Sequence, residues 1–348
     1  MKSYTPHLVS ACLLLFLPLA FTSSAPPAGY QMIKKIPVGG EGGWDYLTMD
    51  SAARRLYVSH ATKVVVIDVD KGAVVGEIPD TNGVHGIAVV PELNRGFTSN
   101  GRDNSVTIFD LKTLKALGSA KTGPNPDAII YDPATKRVFT FDRGTEAEAS
   151  STAIEAATGK VVGTIMLGGR PEFAVADGSG QVFANLDSKN EIVVIDSRKL
   201  EIKARWPLAP GQRPTGLAMD VKNRRLFSVC NQRMIVMNAD NGKVVADIPT
   251  GRGTDATAFD PATNLAFSSN GGDGTLTVVH EDSPDKFTVV ENAKTQQGAR
   301  TMALDLKTHN IYLSAAEYTT PPAPAAGQPT PRPSIVPNSF MVLVMGNK

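Results

Sequence analysis

Two cysteines and two tryptophans stand in a chain of 348 residues, and aromatic side chains make up only 6% of it. Cys12 lies in an N-terminal apolar stretch, which leaves Cys230 alone in the remainder. A single cysteine excludes an internal disulfide, Cys-x-x-Cys-His haem attachment and paired Cys/His zinc patterns. Its place at the end of an apolar run suits a packed small hydrophobe. Neither sign of charge is in excess: 35 basic residues face 34 acidic ones. Such a balance leaves no electrostatic footprint for nucleic acid or for an anionic membrane surface. A phosphate-binding P-loop and a nucleotide-binding glycine fingerprint are missing too. Gly272-Asp273-Gly274 lacks the ordered carboxylates of a calcium loop and reads as a turn.

Long hydrophobic runs are also missing. The longest, Leu8–Phe21, is too short to span a membrane. It follows Lys2 and precedes the small residues Thr22-Ser-Ser-Ala25, so 1–25 reads as a secretory signal peptide and the expected location is periplasmic or extracellular. A lipid anchor on Cys12 is rejected, because the apolar core follows that cysteine instead of preceding it. Residues 26–348 then read as one domain, expected to be monomeric.

What the chain does have is a repeat. Residues 211–253 contain four short apolar runs, Thr215–Met219, Leu226–Cys230, Met234–Met237 and Val244–Ile248, each too short for a helix. Asp240-Asn241-Gly242 supplies a tight turn between the last two. The residue closing the first run recurs as Asp50, Pro91, Asp132, Asp177, Asp220, Asp260 and Asp305, at spacings of 41, 41, 45, 43, 40 and 45. The second run recurs as RLYVS, GFTSN, VFTFD, VFANL, LFSVC, AFSSN and IYLSA. Four strands in each period of about 40–50 residues define an all-β, seven-bladed β-propeller of four-stranded antiparallel blades. The last copy stops after its third strand, and a spare strand, Gln31–Val38, precedes the first. That N-terminal strand is expected to pair with the last blade and close the ring. A proline-rich insertion, 319–337, interrupts the last blade with seven prolines in nineteen residues; it reads as a lid over the channel or as a solvated spacer.

The pattern resembles the YVTN-repeat propellers, the YncE-like family of secreted bacterial proteins. The resemblance is carried by Pro126-Asp127, Pro171-Glu172 and Pro214-Thr215-Gly216 entering blades, by Arg-Leu-Tyr-Val-Ser at 55–59, Val-Val-Val-Ile-Asp at 64–68 and Thr-Gly-Lys-Val-Val-Gly-Thr-Ile at 158–165. It spans about residues 31 to 345 and implies a fold more than an activity. The two tryptophans do not suit the tryptophan-docked blades of quinone-dependent dehydrogenases. Asp68, Asp110, Asp196 and Asn238, at the ends of third strands, recur as turn caps would.

Chemistry is sought where the copies differ. Five residues before each closing residue stand Asp45, Gly86 (beside His85), Asp127, Glu172, Thr215, Asp255 and Arg300. In a propeller these begin the innermost strands and meet at one mouth of the channel. Four carboxylates there would repel unless a cation, protons or arginines compensate. Arg170, Arg213, Arg252 and Arg300 lie on the same links. The candidate ligand-binding set at the mouth is Trp44, Asp45, His60, His85, Asn100, Arg102, Asp127, Arg143, Glu172, Asn185, Arg213, Asp255 and Arg300. Asp45, His85, Asp127, Glu172 and Asp255 are candidate metal ligands. Oxygen ligation by the four acids would suit calcium, whereas His60 and His85 with Asp45 would suit zinc or copper. Trp44 either stacks on a ligand or packs between blades.

Two functions follow as expectations. One is a binding scaffold that presents its top face and funnel to a small molecule, a glycan or a periplasmic protein. The other is metal-dependent hydrolysis of lactones or esters, with the ion polarising a carbonyl and activating water. The funnel set is similar in kind to that of lactonase propellers, although those usually have six blades.

Overall fold

The computed structural model describes residues 1–3, 29–320 and 333–347. Most of the expected leader and most of the proline-rich insertion lie outside them. Seven four-stranded antiparallel sheets follow one another around a ring. Within blades one to six the four strands pair in chain order, the first innermost. The seventh sheet runs Arg300–Asp305, Asn310–Ala315, Met341–Asn347 and then Tyr30–Pro37. The N-terminal strand thus closes the ring from the outside, antiparallel to the C-terminal one. Apart from one short 3-10 turn, Pro91–Leu93, the described residues hold no helix, and none is long and apolar enough to cross a membrane.

Packing between blades explains where the few aromatic residues went. The third residue of each second strand is aromatic: Tyr57, Phe97, Phe139, Phe183, Phe227, Phe267 and Tyr312, all buried. Each sits in an apolar cluster that joins strands of adjacent blades. Phe97 packs with Ile129, Val138 and Ile154 of the next blade, and Phe139 with Ala174, Val182 and Val193. A bulky flat side chain fills the wedge that opens as twisted sheets fan out around an axis.

Hydrogen bonds at the opposite end from the mouth tie the blades as well. The closing aspartates cap the following turns: Asp132 accepts from Ala134 N and Thr135 Oγ1. They also accept from neighbouring blades, as in Arg54 to Asp305 (2.6 Å) and Arg224 to Asp177 (2.9 Å). Third-strand residues Asp68, Asp110, Asp196 and Asn238 cap their hairpins, as expected.

One register expectation needs correction. Blade two closes at Val90, which pairs with Arg95 as Asp50 pairs with Arg55 and Asp132 with Arg137; Pro91 begins the 3-10 turn. The residue equivalent to Asp45 and Asp127 is therefore His85, not Gly86. Counting from Pro91, the first residue of the turn, shifted the position by one.

Of the proline-rich segment, the described flanks pair with each other: Tyr318 bridges Ile335, and Thr319 N donates to Ser334 O.

Candidate functional site at the channel mouth

The inner strands do not enter their sheets smoothly. The ladder shifts register between Trp44 and Leu47, Val84 and Ile87, Pro126 and Ile129, Pro171 and Ala174, and Thr254 and Thr257. Asp45, His85, Asp127, Glu172 and Asp255 each lie inside such a bulge, which re-aims a side chain out of the pleat. Serines of the second strands fill the gap left in the ladder. Ser59 Oγ accepts from Asp45 N (2.9 Å), Ser99 Oγ from Gly86 N (2.8 Å) and Ser269 Oγ from Ala256 N (3.0 Å). Ser99 also donates to Asp127 O in the next blade. The serine of the Tyr-Val-Ser repeat is thus a bulge staple. Gly216 follows ring residue Thr215 for a steric reason: a Cβ there would lie 2.6 Å from Thr257 N of the next blade.

The ring positions of seven blades are Asp45, His85, Asp127, Glu172, Thr215, Asp255 and Arg300. His85 Nδ1 lies 2.6 Å from Asp45 Oδ2 and 3.5 Å from Asp127 Oδ1. Arg143 donates to Asp127 Oδ2 (2.9 Å) and forms an ion pair with Glu172 Oε1 (2.8 Å), bridging blades three and four. Arg170 holds Asp187 through Nε and Nη2, at 2.9 and 2.8 Å. Arg300 stands 3.7 Å from Asp255. Opposite charges are interleaved, as a crowded acidic ring requires.

The compensation is incomplete. Burial, and then the Asp45 charge, raise the Asp127 carboxyl above its usual range in spite of His85 and Arg143. Burial raises Glu172 as well, helped by Asp127 and opposed by Arg143. Asp255 is pushed up to about 6, by burial first, with Asp45 and Asp127 adding to it against Arg300. For His85, burial favours the neutral ring, but the hydrogen bond it donates to Asp45 and the charge of Asp127 outweigh it and raise its pKa.

Beneath the ring two aromatic side chains meet. Tyr46, next to Asp45, meets Phe173, next to Glu172, with ring centres 4.4 Å apart. Tyr46 comes from blade one and packs against the cluster of blades three and four; Phe173 comes from blade four and packs against that of blades six and seven. The two side chains therefore cross the channel and give the funnel a floor. Burial raises the Tyr46 hydroxyl's pKa, as do the charges of Asp127, Asp45, Glu172 and Asp255. Sequence reasoning missed this pair. The available signal was two aromatics at the same repeat position in blades nearly opposite each other.

Two cavities open at the mouth. One, of about 390 Å³, is lined by Trp44, Asp45, His85, Arg102, Asn125 and Arg300 among others. The second, of about 370 Å³, is lined by Arg143, Arg170, Glu172, Asp187, Arg213 and Thr215 among others. Arg102 and Arg213 are exposed on this rim and, among the described residues, form no ion pair.

Four candidates sit elsewhere. His60 is buried and stacks on Phe340, with ring centres 4.6 Å apart, and Phe340 in turn stacks on Trp44 at 4.9 Å. The His60–His85–Asp45 cluster is corrected accordingly: His60 belongs to the packing between blades one and seven, and Trp44 packs there too, its edge reaching the cavity. Asn100 accepts from Thr98 and donates to Thr107 within its own blade. Asn185 donates to Thr215 O (2.9 Å) and Gly216 O (3.0 Å), stapling blade four to blade five. Polar strand ends were expected to face the mouth; buried amides that need partners turned inward instead.

The fold defines the class: this chain is a seven-bladed β-propeller. No family model matches it, and no curated protein does. Among solved structures it is similar to a chain of hydrazine synthase from Kuenenia stuttgartiensis (TM-score 0.69, 14% identity, 86% of this chain and 95% of that one). It is likewise similar to a chain in the crystal structure of the mitotic checkpoint complex (TM-score 0.71, 12% identity, all of both chains). At such identities the likeness is one of fold alone.

Proposed function

We propose that this chain is a secreted, YncE-like binding scaffold whose funnel mouth takes a small anionic ligand. One observation carries the reading: the buried carboxylates are bridged from inside the ring by Arg143 and His85, whereas Arg102 and Arg213 on the rim have no acidic partner and Arg300 only a distant one. A planar guanidinium with free donors recognises carboxylate or phosphate by paired hydrogen bonds. The blind floor of Tyr46 and Phe173 favours a ligand that enters and leaves by the same mouth. Arg102 lies in a four-residue turn and Arg213 in a link between rigid strands, so the backbone that carries them loses little order on binding.

Titration calorimetry with dicarboxylates, tricarboxylates and sugar phosphates, against neutral sugars as control, tests the proposal. The expected result is binding of one anion class, weakened about tenfold or more in Arg213→Gln or Arg102→Gln and weakened by salt. Binding of neutral sugars alone, or anion binding that both variants retain, would reject it. Hydrolysis of a lactone or ester is the second reading, favoured by His85 standing between two carboxylates. Turnover of such substrates by the purified protein is its test.

A further inference from the structure

We propose that Asp45, His85 and Asp127 form a site for a divalent transition-metal ion of the zinc class. One ligand atom from each residue lies within 4.8 Å of the other two, and no other group of three such residues does so among the described residues. The three come from consecutive blades, so the site is a product of the ring and of no single repeat.

The second observation is an oxygen without a partner. Asp127 is 2% exposed, and its Oδ1 accepts no hydrogen bond. Its other oxygen is fixed by Arg143 at 2.9 Å, which aims Oδ1 at His85 Nδ1, 3.5 Å away. A buried carboxylate oxygen left bare costs free energy, and a cation between it and the imidazole removes that cost. Tetrahedral zinc with ligands at about 2.0–2.1 Å separates ligand atoms by about 3.3 Å. The spacing of 3.5 Å already suits this, and the 2.6 Å between His85 Nδ1 and Asp45 Oδ2 opens when the ion replaces the proton shared there.

The surroundings are those of an oriented site. Asp45 is held by its backbone on both sides, N to Ser59 Oγ at 2.9 Å and O from Thr301 Oγ1 at 2.7 Å. The far side of the imidazole is packed close to Gly101, where a Cβ would come within 2.8 Å of His85 Nε2. These contacts fix the backbone that carries Asp45 and leave the imidazole little room to turn away on the Gly101 side. Asp45 and His85 also line the cavity that holds Arg102 and Arg300, which leaves space beside them for a further ligand.

The chemistry also separates this site from the calcium ring expected from sequence. Calcium takes six to eight oxygens, but Glu172 is committed to Arg143 and Asp255 lies outside the group. One imidazole and two single carboxylate oxygens suit zinc, cobalt or nickel. The assignment does not depend on which anion the rim accepts.

The test is metal titration of the purified full-length mature chain after chelator treatment, with zinc, cobalt and calcium alone as probes. The expected result is one zinc per chain, no calcium at matched concentration, and visible ligand-field bands of four- or five-coordinate cobalt. Asp45→Asn and His85→Gln are expected to weaken zinc by about a hundredfold or more. Glu172→Gln is expected to keep it, as is His280→Gln in the strand Thr275–Ser283 of blade six, where that ring pairs with Asp282 at 2.7 Å. The cobalt spectrum of the unaltered protein decides the matter even if a variant unfolds: octahedral bands alone, or no stoichiometric metal, overturn the proposal. Zinc retained in His85→Gln overturns it as well, as does calcium binding lost in Glu172→Gln.

Discussion

Removing Arg143 would expose how the ring is held. Its guanidinium bridges Asp127 at 2.9 Å and Glu172 at 2.8 Å, and those side chains are only 3% and 14% exposed. In Arg143→Met the methylene stem is kept and two buried carboxylates lose their counter-charge. Breaking a buried pair in this way costs about 3–5 kcal/mol. The acids have an escape, because each can bind a proton, at about 1.4 kcal/mol for each unit between its pKa and the ambient pH. Loss of the cation raises their folded-state pKa values further. A group raised above its unfolded value gives stability that is present at low pH and disappears as pH rises through the folded value. The deficit of the variant is therefore expected to be about 3–5 kcal/mol at pH 8 and about 1–2 kcal/mol at pH 5. Urea unfolding followed by fluorescence of the buried Trp44 measures it at both pH values. Arg170→Met is the control: that side chain is 45% exposed, so its pair with Asp187 is worth about 1 kcal/mol or less. A deficit that does not change with pH, or one no larger than the control, would refute the reasoning.

Other outcomes follow from the same packing. Phe139→Ala empties the wedge between blades three and four and is expected to cost about 3–5 kcal/mol, read from the urea midpoint. Ser99→Ala leaves Gly86 N without its acceptor and removes the donor to Asp127 O, so it is expected to cost about 1–3 kcal/mol by the same assay. Deleting residues 29–38 uncovers the edge of Met341–Asn347, and concentration-dependent aggregation in light scattering is the expected result. A soluble, monomeric product would contradict the closure seen here.

Much of the fold was legible because a repeat reports itself seven times. Strand number, blade count and ring closure rest on local patterns such as Val-Val-Val-Ile-Asp at 64–68 and on the spare strand before blade one. The ring positions could be listed because each lies at a fixed distance from a closing residue, and only the turn at Pro91 spoiled the count. What could not be read was direction. Asn100 and His60 occupy equivalent strand ends, yet one satisfies itself on Thr98 and Thr107 and the other stacks on Phe340 from a distant part of the chain. Nothing local distinguishes a polar group that turns into its blade from one that faces the mouth. The pairing of Tyr46 with Phe173 was hidden for a related reason: it joins blades that only ring closure brings opposite each other.

On this reading the buried ring carboxylates sit at the mouth at a cost in stability and are not structural glue. Asp255 tests it most directly. Its Oδ2 is buried without a hydrogen-bond partner, Arg300 is 3.7 Å away, and its pKa stands at about 6. Its contribution to stability is whole below about pH 4, the ordinary aspartate range, and is lost as pH rises through 6. The measurement is urea unfolding of Asp255→Asn beside the unaltered protein at pH 4.5 and pH 8. The expected result is a variant that gains on the unaltered protein by about 1–3 kcal/mol between the lower and the higher pH, and is no less stable at the higher. A variant clearly less stable at pH 8 would mean that the ionised carboxylate supports the fold, and would contradict the claim.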